Sequence, residues 1–201
     1  MSGMDVARWW WMPLAGLACL LCGCVSQEVR NSLLSQRYAL SVNYERTVED
    51  SIRAGSNSWE YYRVTSANFP SGESGSATLS VVLVKVDSAA VVDEVIVNQA
   101  HAGRRPATLK ELLAFGETYP EIQRKLPVIA LGSSSDLLTT TFRRLYQMNL
   151  MSITTDIDRR VIRYYPYLGG ELLGRTVNLS PIGTSDFETY RTFYACFVEQ
   201  R

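Results

Sequence analysis

The stretch Thr192-Phe-Tyr-Ala-Cys-Phe-Val198 is apolar at every position after its first residue. Successive side chains of a β-strand point to opposite faces of the sheet. One face would carry Phe193, Ala195 and Phe197, and the other Tyr194, Cys196 and Val198. A strand that is apolar on both faces has to be covered on both sides. We therefore predict residues 187–199 as a central strand.

The residues before this strand show the pattern of antiparallel strands. Strands are predicted at 150–155, 160–167 and 171–179. The turn formers between them are at 156–158, at Gly169-Gly170 and in Ser180-Pro-Ile-Gly-Thr-Ser185. Together with the last strand, they predict a C-terminal antiparallel sheet.

Residues 28–53 are predicted as one amphipathic helix. Its apolar residues follow one another at spacings of four and seven, which places them on one side of a helix: Val29, Leu33, Leu40, Tyr44, Val48 and Ile52. Turn formers at 54–58 end it. The helix either packs on its own domain or forms a stalk or partner-binding helix between a membrane and the domain.

The middle of the chain mixes strands and short helices. We predict a strand at 59–66 and another, rich in β-branched residues, at 78–86. A Gly/Ser loop at 72–77 precedes the second strand, and the two strands could form a hairpin. Residues 89–99 fit either a helix or a strand.

Two capping-box patterns follow. Thr108 with Glu111 begins one helix that Gly116 would end, and Thr118 with Glu121 begins another that ends before Pro127. A short buried strand at 128–131 and a further helix after Asp136, with Leu138, Phe142 and Leu145 on one face, complete the pattern. The fold class predicted is α+β: an N-terminal helix, a mixed middle and a C-terminal antiparallel sheet.

Composition points to one ordinary globular domain. The chain has 201 residues, 46% of them apolar, and its 20 basic and 20 acidic residues cancel. A neutral domain has no field that would steer it onto nucleic acid, and a core of this size needs no cofactor for stability. Paired arginines could bind an anion, although a solvated surface is the simpler interpretation: Arg104 and Arg105, Arg143 and Arg144, Arg159 and Arg160.

The N-terminus carries the strongest motif. Residues 9–22 form an uncharged apolar run of 14 residues after Arg8. That length suits the hydrophobic region of a signal peptide and is short of the ~20 residues that a membrane-spanning helix needs. The run leads into Leu21-Cys22-Gly23-Cys24, which resembles the lipobox of bacterial lipoproteins. An uncleaved membrane anchor and a buried helix are the alternatives.

The resemblance implies a diacylglycerol thioether on Cys24, cleavage between Gly23 and Cys24, and acylation of the new amino terminus. Val25 stands where aspartate would resemble an inner-membrane retention signal, so the expected location is the periplasmic face of the outer membrane. The domains expected are a signal peptide at 1–23, a lipidated N-terminus with helix and linker at 24–58, and an α+β periplasmic domain at 59–201.

Cysteine and histidine usage argues against a metal site. With the leader removed and Cys24 acylated, Cys196 is the remaining thiol, and its apolar surroundings indicate a buried hydrophobic residue. His101 is the one histidine and is predicted to lie in a loop. A zinc site needs more nitrogen and sulfur ligands than these two residues supply.

Three groups could carry chemistry or binding. Ser134, between a strand and a helix start, could be a nucleophile or an anion site, although helix capping explains it equally. Asp156 and Asp158 occupy a predicted turn. Tyrosines at 164, 165 and 167 could stack on a sugar or pack in a sheet.

None of these groups forms a recognised catalytic set, so no catalytic residue is assigned. We expect an outer-membrane-anchored lipoprotein with a binding or scaffold role, partnered by proteins of the cell envelope in a secretion or cell-wall machine. The alternative is a lipid-anchored hydrolase acting on peptidoglycan or lipid.

Overall fold

The computed structural model describes residues 26–59, 63–87, 92–135, 163–171, 174–182 and 192–200. The leader with Cys24, the helix expected after Asp136, the strand expected at 150–155 and its turn at 156–158 lie outside these ranges.

The described residues form helices and strands in one mixed sheet, which confirms the α+β class. The helices are α1 Gln27–Leu34, α2 Val48–Ala54, α3 Val92–His101, α4 Leu109–Thr118 and α5 Pro120–Gln123. The strands are β1 Tyr38–Asn43, β2 Ser58–Trp59, β3 Ser76–Val86, β4 Arg104–Pro106, β5 Val128–Ile129, β6 Arg163–Glu171, β7 Gly174–Ile182 and β8 Phe193–Glu199. In the described part of the chain, no helix combines the length and the apolar character needed to span a bilayer.

The strand order is β1-β3-β8-β5-β6-β7-β2, and β4 also pairs with β8. The pairs β5–β8 and β2–β7 are parallel, and the other pairs are antiparallel. The β6–β7 hairpin is antiparallel, as the sequence predicts, whereas β8 joins the sheet between β3 and β5 rather than beside that hairpin.

Strand β8 is the centre of the molecule. Residues 193–198 are all buried, which confirms a central strand covered on both sides for this part of the predicted 187–199. The strand begins at Phe193, and residues 187–191 lie outside the described ranges. On one face Tyr194, Cys196 and Val198 pack in a cluster with residues of β1, α2 and α4. On the other face Phe193, Ala195 and Phe197 pack with residues of β5, β6 and α3.

The prediction of a single helix at 28–53 is wrong. The segment forms α1, then β1, then α2, and β1 pairs with β3. A spacing of four is even, so Leu40 and Tyr44 fall on one face of a strand as well as on one face of a helix. Burial in β1 alternates strictly, with the even-numbered residues inside. Residues 38–54 therefore belong to the sheet and core and do not form a stalk.

The hairpin predicted from strands 59–66 and 78–86 is also wrong. β2 ends at Trp59, and Thr65 begins a turn in which its carbonyl accepts bonds from the N–H groups of Asn68 and Phe69. β3 confirms the second strand, but its partners are β1 and β8. Residues 92–101 are helical, so His101 ends α3 instead of lying in a loop.

Several turn and cap predictions are corrected. Gly116 does not end α4, which continues to Thr118. Thr118 does not cap α5: its hydroxyl donates to the Ala114 carbonyl of its own helix at 2.9 Å, and Pro120 begins α5. Gly169-Gly170 lies inside β6 rather than in a turn, and β7 extends through Ile182 past the Ser-Pro expected to end it. The capping box at Thr108 and Glu111 is confirmed.

Candidate functional site

Strand β1 is the outermost strand at one end of the sheet, and β3 is its neighbour there. The N–H of Tyr44 donates to the Gly75 carbonyl at 2.8 Å, which continues the β1–β3 ladder by one residue. Residues of an antiparallel strand point their N–H and C=O alternately toward and away from the neighbour. The even-numbered residues therefore pair with β3, and Ala39, Ser41 and Asn43 direct their backbone groups outward.

These outward groups are only partly satisfied. The Tyr119 hydroxyl donates to the Ala39 carbonyl at 2.7 Å, and the Arg46 N–H approaches the Asn43 carbonyl at 3.4 Å. Within the described residues, neither the N–H nor the C=O of Ser41 has a partner, and the N–H groups of Ala39 and Asn43 have none either. All three residues are exposed to solvent.

A groove of about 420 Å³ runs between this edge and helix α4. We call it the β1 groove. Its lining consists of β1 residues, residues of α2 and the turn before it, and one side of α4: Ser41, Val42, Asn43, Arg46, Ser51, Lys110, Ala114, Glu117 and Thr118. Arg46 and Glu117 form an ion pair at 2.6 Å. The Lys110 ammonium donates to the Tyr44 carbonyl.

A buried polar cluster holds the end of β1 against the start of α4. Glu111 is fully buried, and it accepts two bonds from the Arg105 guanidinium, at 2.9 and 2.5 Å. The Tyr44 hydroxyl donates to the same carboxylate at 2.6 Å, and the Thr108 N–H donates at 2.7 Å. One carboxylate therefore joins β1, β4 and α4.

The electrostatics of this cluster keep Glu111 ionised. Burial acts to raise the pKa of Glu111, but the bonds from Arg105, Tyr44 and the Thr108 N–H outweigh it and hold the pKa below its usual range. The hydrogen bond to Glu111 is the largest cause of the raised pKa of Arg105. Burial first, and then the bond to Glu111, raise the pKa of Tyr44, so that its phenol remains a donor.

Sequence reasoning detected only half of this cluster. It assigned Thr108 and Glu111 to a capping box and grouped Arg105 with Arg104 as a possible anion site. In the structure Arg105 binds carboxylates of its own chain: it donates two hydrogen bonds to the buried Glu111 and lies 3.9 Å from Glu73. Arg104 donates to the Gln99 side chain at 2.9 Å and lies 3.8 Å from the Glu199 carboxylate.

The serine candidate is not brought together with a base. Ser134 is exposed, and no side chain of the described residues is hydrogen-bonded to it. Its neighbours have structural contacts: the Ser133 hydroxyl accepts the Leu109 N–H at the start of α4 at 2.9 Å, and Ser135 forms a β-bridge with Tyr164. The Ser133 hydroxyl therefore contributes to the capping of α4, and the helix expected after Asp136, which this loop is predicted to cap, lies outside the described residues.

The remaining candidate residues either pack in the core or lie outside the described ranges. Cys196 is fully buried, and burial, then the charge of Glu111, raises the pKa of its thiol. Tyr165 and Tyr167 are buried, and Tyr167 contacts Phe193 edge-on with ring centroids 5.1 Å apart. In the described ranges no cluster of His, Cys, Asp or Glu could hold a metal ion. Cys24, the two aspartates and the arginine pairs at 143–144 and 159–160 lie outside those ranges.

These features define an α+β protein whose sheet is buried on both faces at β8 and ends, in the described part of the chain, in a strand with unpaired backbone beside a groove. No protein-family model matches the chain, and no curated protein or solved structure is significantly similar to it.

Proposed function

We propose that this chain is a lipoprotein of the bacterial outer membrane, held by lipid on Cys24, whose α+β domain binds a protein on the periplasmic side. Its role is that of a structural or accessory subunit of an envelope assembly, such as a secretion or cell-wall machine. The apolar run at 9–22 and the resemblance of residues 21–24 to a lipobox support the lipid anchor and the membrane location. The observation that carries the binding role is the backbone of Ser41 at the β1 groove, which has no hydrogen-bond partner among the residues that the structure describes.

The composition of β1 strengthens the binding role. Proteins usually protect edge strands against pairing with other chains by placing charges or proline on them. The sequence of β1 is Tyr-Ala-Leu-Ser-Val-Asn, which contains neither. A lipid tether would also concentrate this edge near partners at the same membrane. The edge therefore has the character of a binding surface.

The alternative of a lipid-anchored hydrolase has less support. Among the described residues its candidate nucleophile is Ser134, and no basic side chain described by the structure contacts that hydroxyl. The β1 groove is the better supported site.

The mass of the intact protein extracted from membranes tests the anchor. We expect a chain that begins at residue 24 and carries the added mass of a diacylglyceryl group and a further acyl chain. Cys24→Ser should accumulate as the uncleaved precursor, whereas the matched change Cys22→Ser should mature normally because that residue leaves with the leader. An unmodified residue 24 in the mature protein would refute the anchor.

Photo-crosslinking in cells tests the binding role. A photoreactive amino acid at Thr118, beside the β1 groove, should capture a defined envelope protein. The same amino acid at Val97, which is 51% exposed on α3, is the control position. Identical crosslinks from both positions, or none from Thr118, would contradict a binding role for the groove.

A further inference from the structure

We propose that the partner binds by adding an extended segment of its own chain to β1 as a further strand in the β1 groove. This inference rests on the binding role proposed above and specifies the chemistry of the ligand. It is an extended polypeptide backbone, recognised first by main-chain hydrogen bonds.

The hydrogen-bonding groups of the edge identify this ligand. The N–H and C=O of Ser41 and the N–H of Asn43 point outward without partners in the described residues. Residues two apart in a strand are about 6.6 to 6.8 Å apart along the chain. An extended peptide offers donors and acceptors with the same repeat, and addition of a strand to an exposed edge is an established mode of peptide recognition.

The length of the added strand is limited at both ends. The Tyr119 hydroxyl occupies the Ala39 carbonyl, and the Arg46 N–H lies near the Asn43 carbonyl. The free stretch between them is centred on Ser41. We therefore expect the paired part of the ligand to be short, about four residues, by the two-residue alternation of strand pairing.

The walls of the groove restrict the side chains of the ligand. Ala114 and Thr118 of α4 and Ser51 of α2 are small, so they leave room for small or medium side chains directed toward the helices. The lining carries two cations, Arg46 and Lys110, and one anion, Glu117. Lys110 has no carboxylate within 4.0 Å among the described residues, so an acidic side chain is favoured over a basic one.

Hydrogen exchange of the purified full-length protein in detergent is the first test, read at single-amide resolution by fragmentation mass spectrometry. In the free protein we expect the amides of Ser41 and Asn43 to exchange rapidly and those of Leu40, Val42 and Tyr44 to be protected by β3. Slow exchange at Ser41 in the free protein would mean that the chain itself covers the edge. Protection that grows with protein concentration would mean that a second copy covers it. Either result overturns the proposal.

Peptide binding is the second test, with heptapeptides selected from a random phage-displayed library on the same protein. A selected peptide should protect Ser41 and Asn43, and methylation of alternate backbone nitrogens in the peptide should weaken binding about tenfold per bond lost. Ser41→Pro removes an outward N–H that β3 does not use, a position where an edge strand tolerates proline. It should reduce affinity at least tenfold, whereas Val97→Ser on α3 should leave it unchanged.

The outcomes separate the two proposals. Failure to select any peptide, or peptides that protect other amides and bind equally after methylation, would overturn strand addition. The methylation series decides the point even if Ser41→Pro does not fold, because it changes only the ligand. The lipid anchor is tested separately by the mass of the intact protein, and the binding role by crosslinking from Thr118.

Discussion

The Glu111 carboxylate has the largest set of polar contacts described at a single buried residue. It is fully buried and receives bonds from Arg105, Tyr44 and the Thr108 N–H. Removing one partner of a fully buried ion pair costs about 3 to 5 kcal/mol. The lower end of this range applies here, because the Arg105 side chain is 32% exposed and also lies 3.9 Å from the Glu73 carboxylate. We expect Glu111→Gln to lower the free energy of unfolding by about 3 kcal/mol, measured by urea denaturation at pH 7.

A second glutamate of the same helix is the matched control. Glu117 pairs with Arg46 at 2.6 Å, but both side chains are more than one-third exposed. Exposed ion pairs contribute about 0 to 1 kcal/mol, so Glu117→Gln should change stability by less than about 1 kcal/mol. Equal effects of the two substitutions would contradict the role assigned to Glu111.

Cys196 provides a residue-scale test of the buried sheet. Its thiol is fully buried, with burial as the first cause of its raised pKa. Only the thiolate is reactive. The Cys196 thiol should therefore be unreactive for two reasons: a reagent cannot reach it, and its raised pKa keeps it protonated. In full-length protein with Cys19, Cys22 and Cys24 changed to serine, we expect no reaction with a disulfide reagent at pH 8 over an hour and rapid reaction in urea. Rapid labelling of the folded protein would show that β8 is not enclosed.

At the scale of elements, the close contact between β6 and the end of α5 depends on Gly170. A Cβ there would lie 2.5 Å from the Arg124 Cα and 3.0 Å from the Gln123 carbonyl oxygen, and both belong to backbone. A side chain can relieve such a clash by changing its rotamer, but backbone atoms cannot. Gly170→Ala should therefore destabilise the protein by about 1 to 3 kcal/mol.

The adjacent glycine gives the comparison. At Gly169 the nearest atom to an added Cβ is the Thr176 hydroxyl oxygen at 3.4 Å, an ordinary contact. Gly169→Ala should be neutral or slightly stabilising, because glycine weakens a strand interior. Thermal melts of both variants measure the difference, and a similar midpoint for the two would show that β6 does not approach α5 this closely.

The elements that were predicted correctly are those with a local cause. β8 was predicted because six consecutive apolar residues need cover on both faces, and the start of α4 because Thr108 and Glu111 lie three residues apart. β1 was missed because Leu40 and Tyr44, four apart, satisfy both the helical and the strand period. The hairpin at 59–66 failed because the partners of β3 are distant in sequence.

The candidate site was beyond sequence reasoning for a related physical reason. An edge strand is defined by the partner it lacks, and that depends on the order of all the strands. In the sequence, Ser41 is one polar residue between the apolar Leu40 and Val42, in a segment whose apolar spacing also fits a helix. Only the register with β3 shows that its backbone points outward.

At the scale of the whole molecule, the shifted carboxyl groups determine how stability responds to acid. The pKa values of Glu49, Asp50, Glu111 and Glu199 are lowered. For Asp50 the first cause is the bond from the Thr47 hydroxyl, and for Glu199 the bond from the Ser80 hydroxyl. Burial opposes the shift at Glu49, where bonds from Ser66 outweigh it.

A carboxyl group whose pKa is lower in the folded state adds stability that is complete above its unfolded pKa, about 3.9 for Asp and 4.3 for Glu. That stability is lost as the pH falls through the folded value. The pKa of Glu73 is shifted upward, first by burial and then by the charge of Glu111, so its contribution has the opposite sign and is largest when it is protonated. Among the described residues, four carboxyl groups with a lowered pKa against one with a raised pKa predict a net loss of stability in acid.

We therefore expect the free energy of unfolding, measured by urea titration from pH 7 to pH 3, to decline below about pH 4.3. Glu111→Gln should flatten this decline because it removes one group with a lowered pKa. Glu73→Gln should steepen it, because the opposing group is gone while the Glu111 contacts remain. A wild-type curve that stays flat to pH 3, or two variants that shift the slope in the same direction, would contradict the opposite signs assigned to these two neighbouring glutamates.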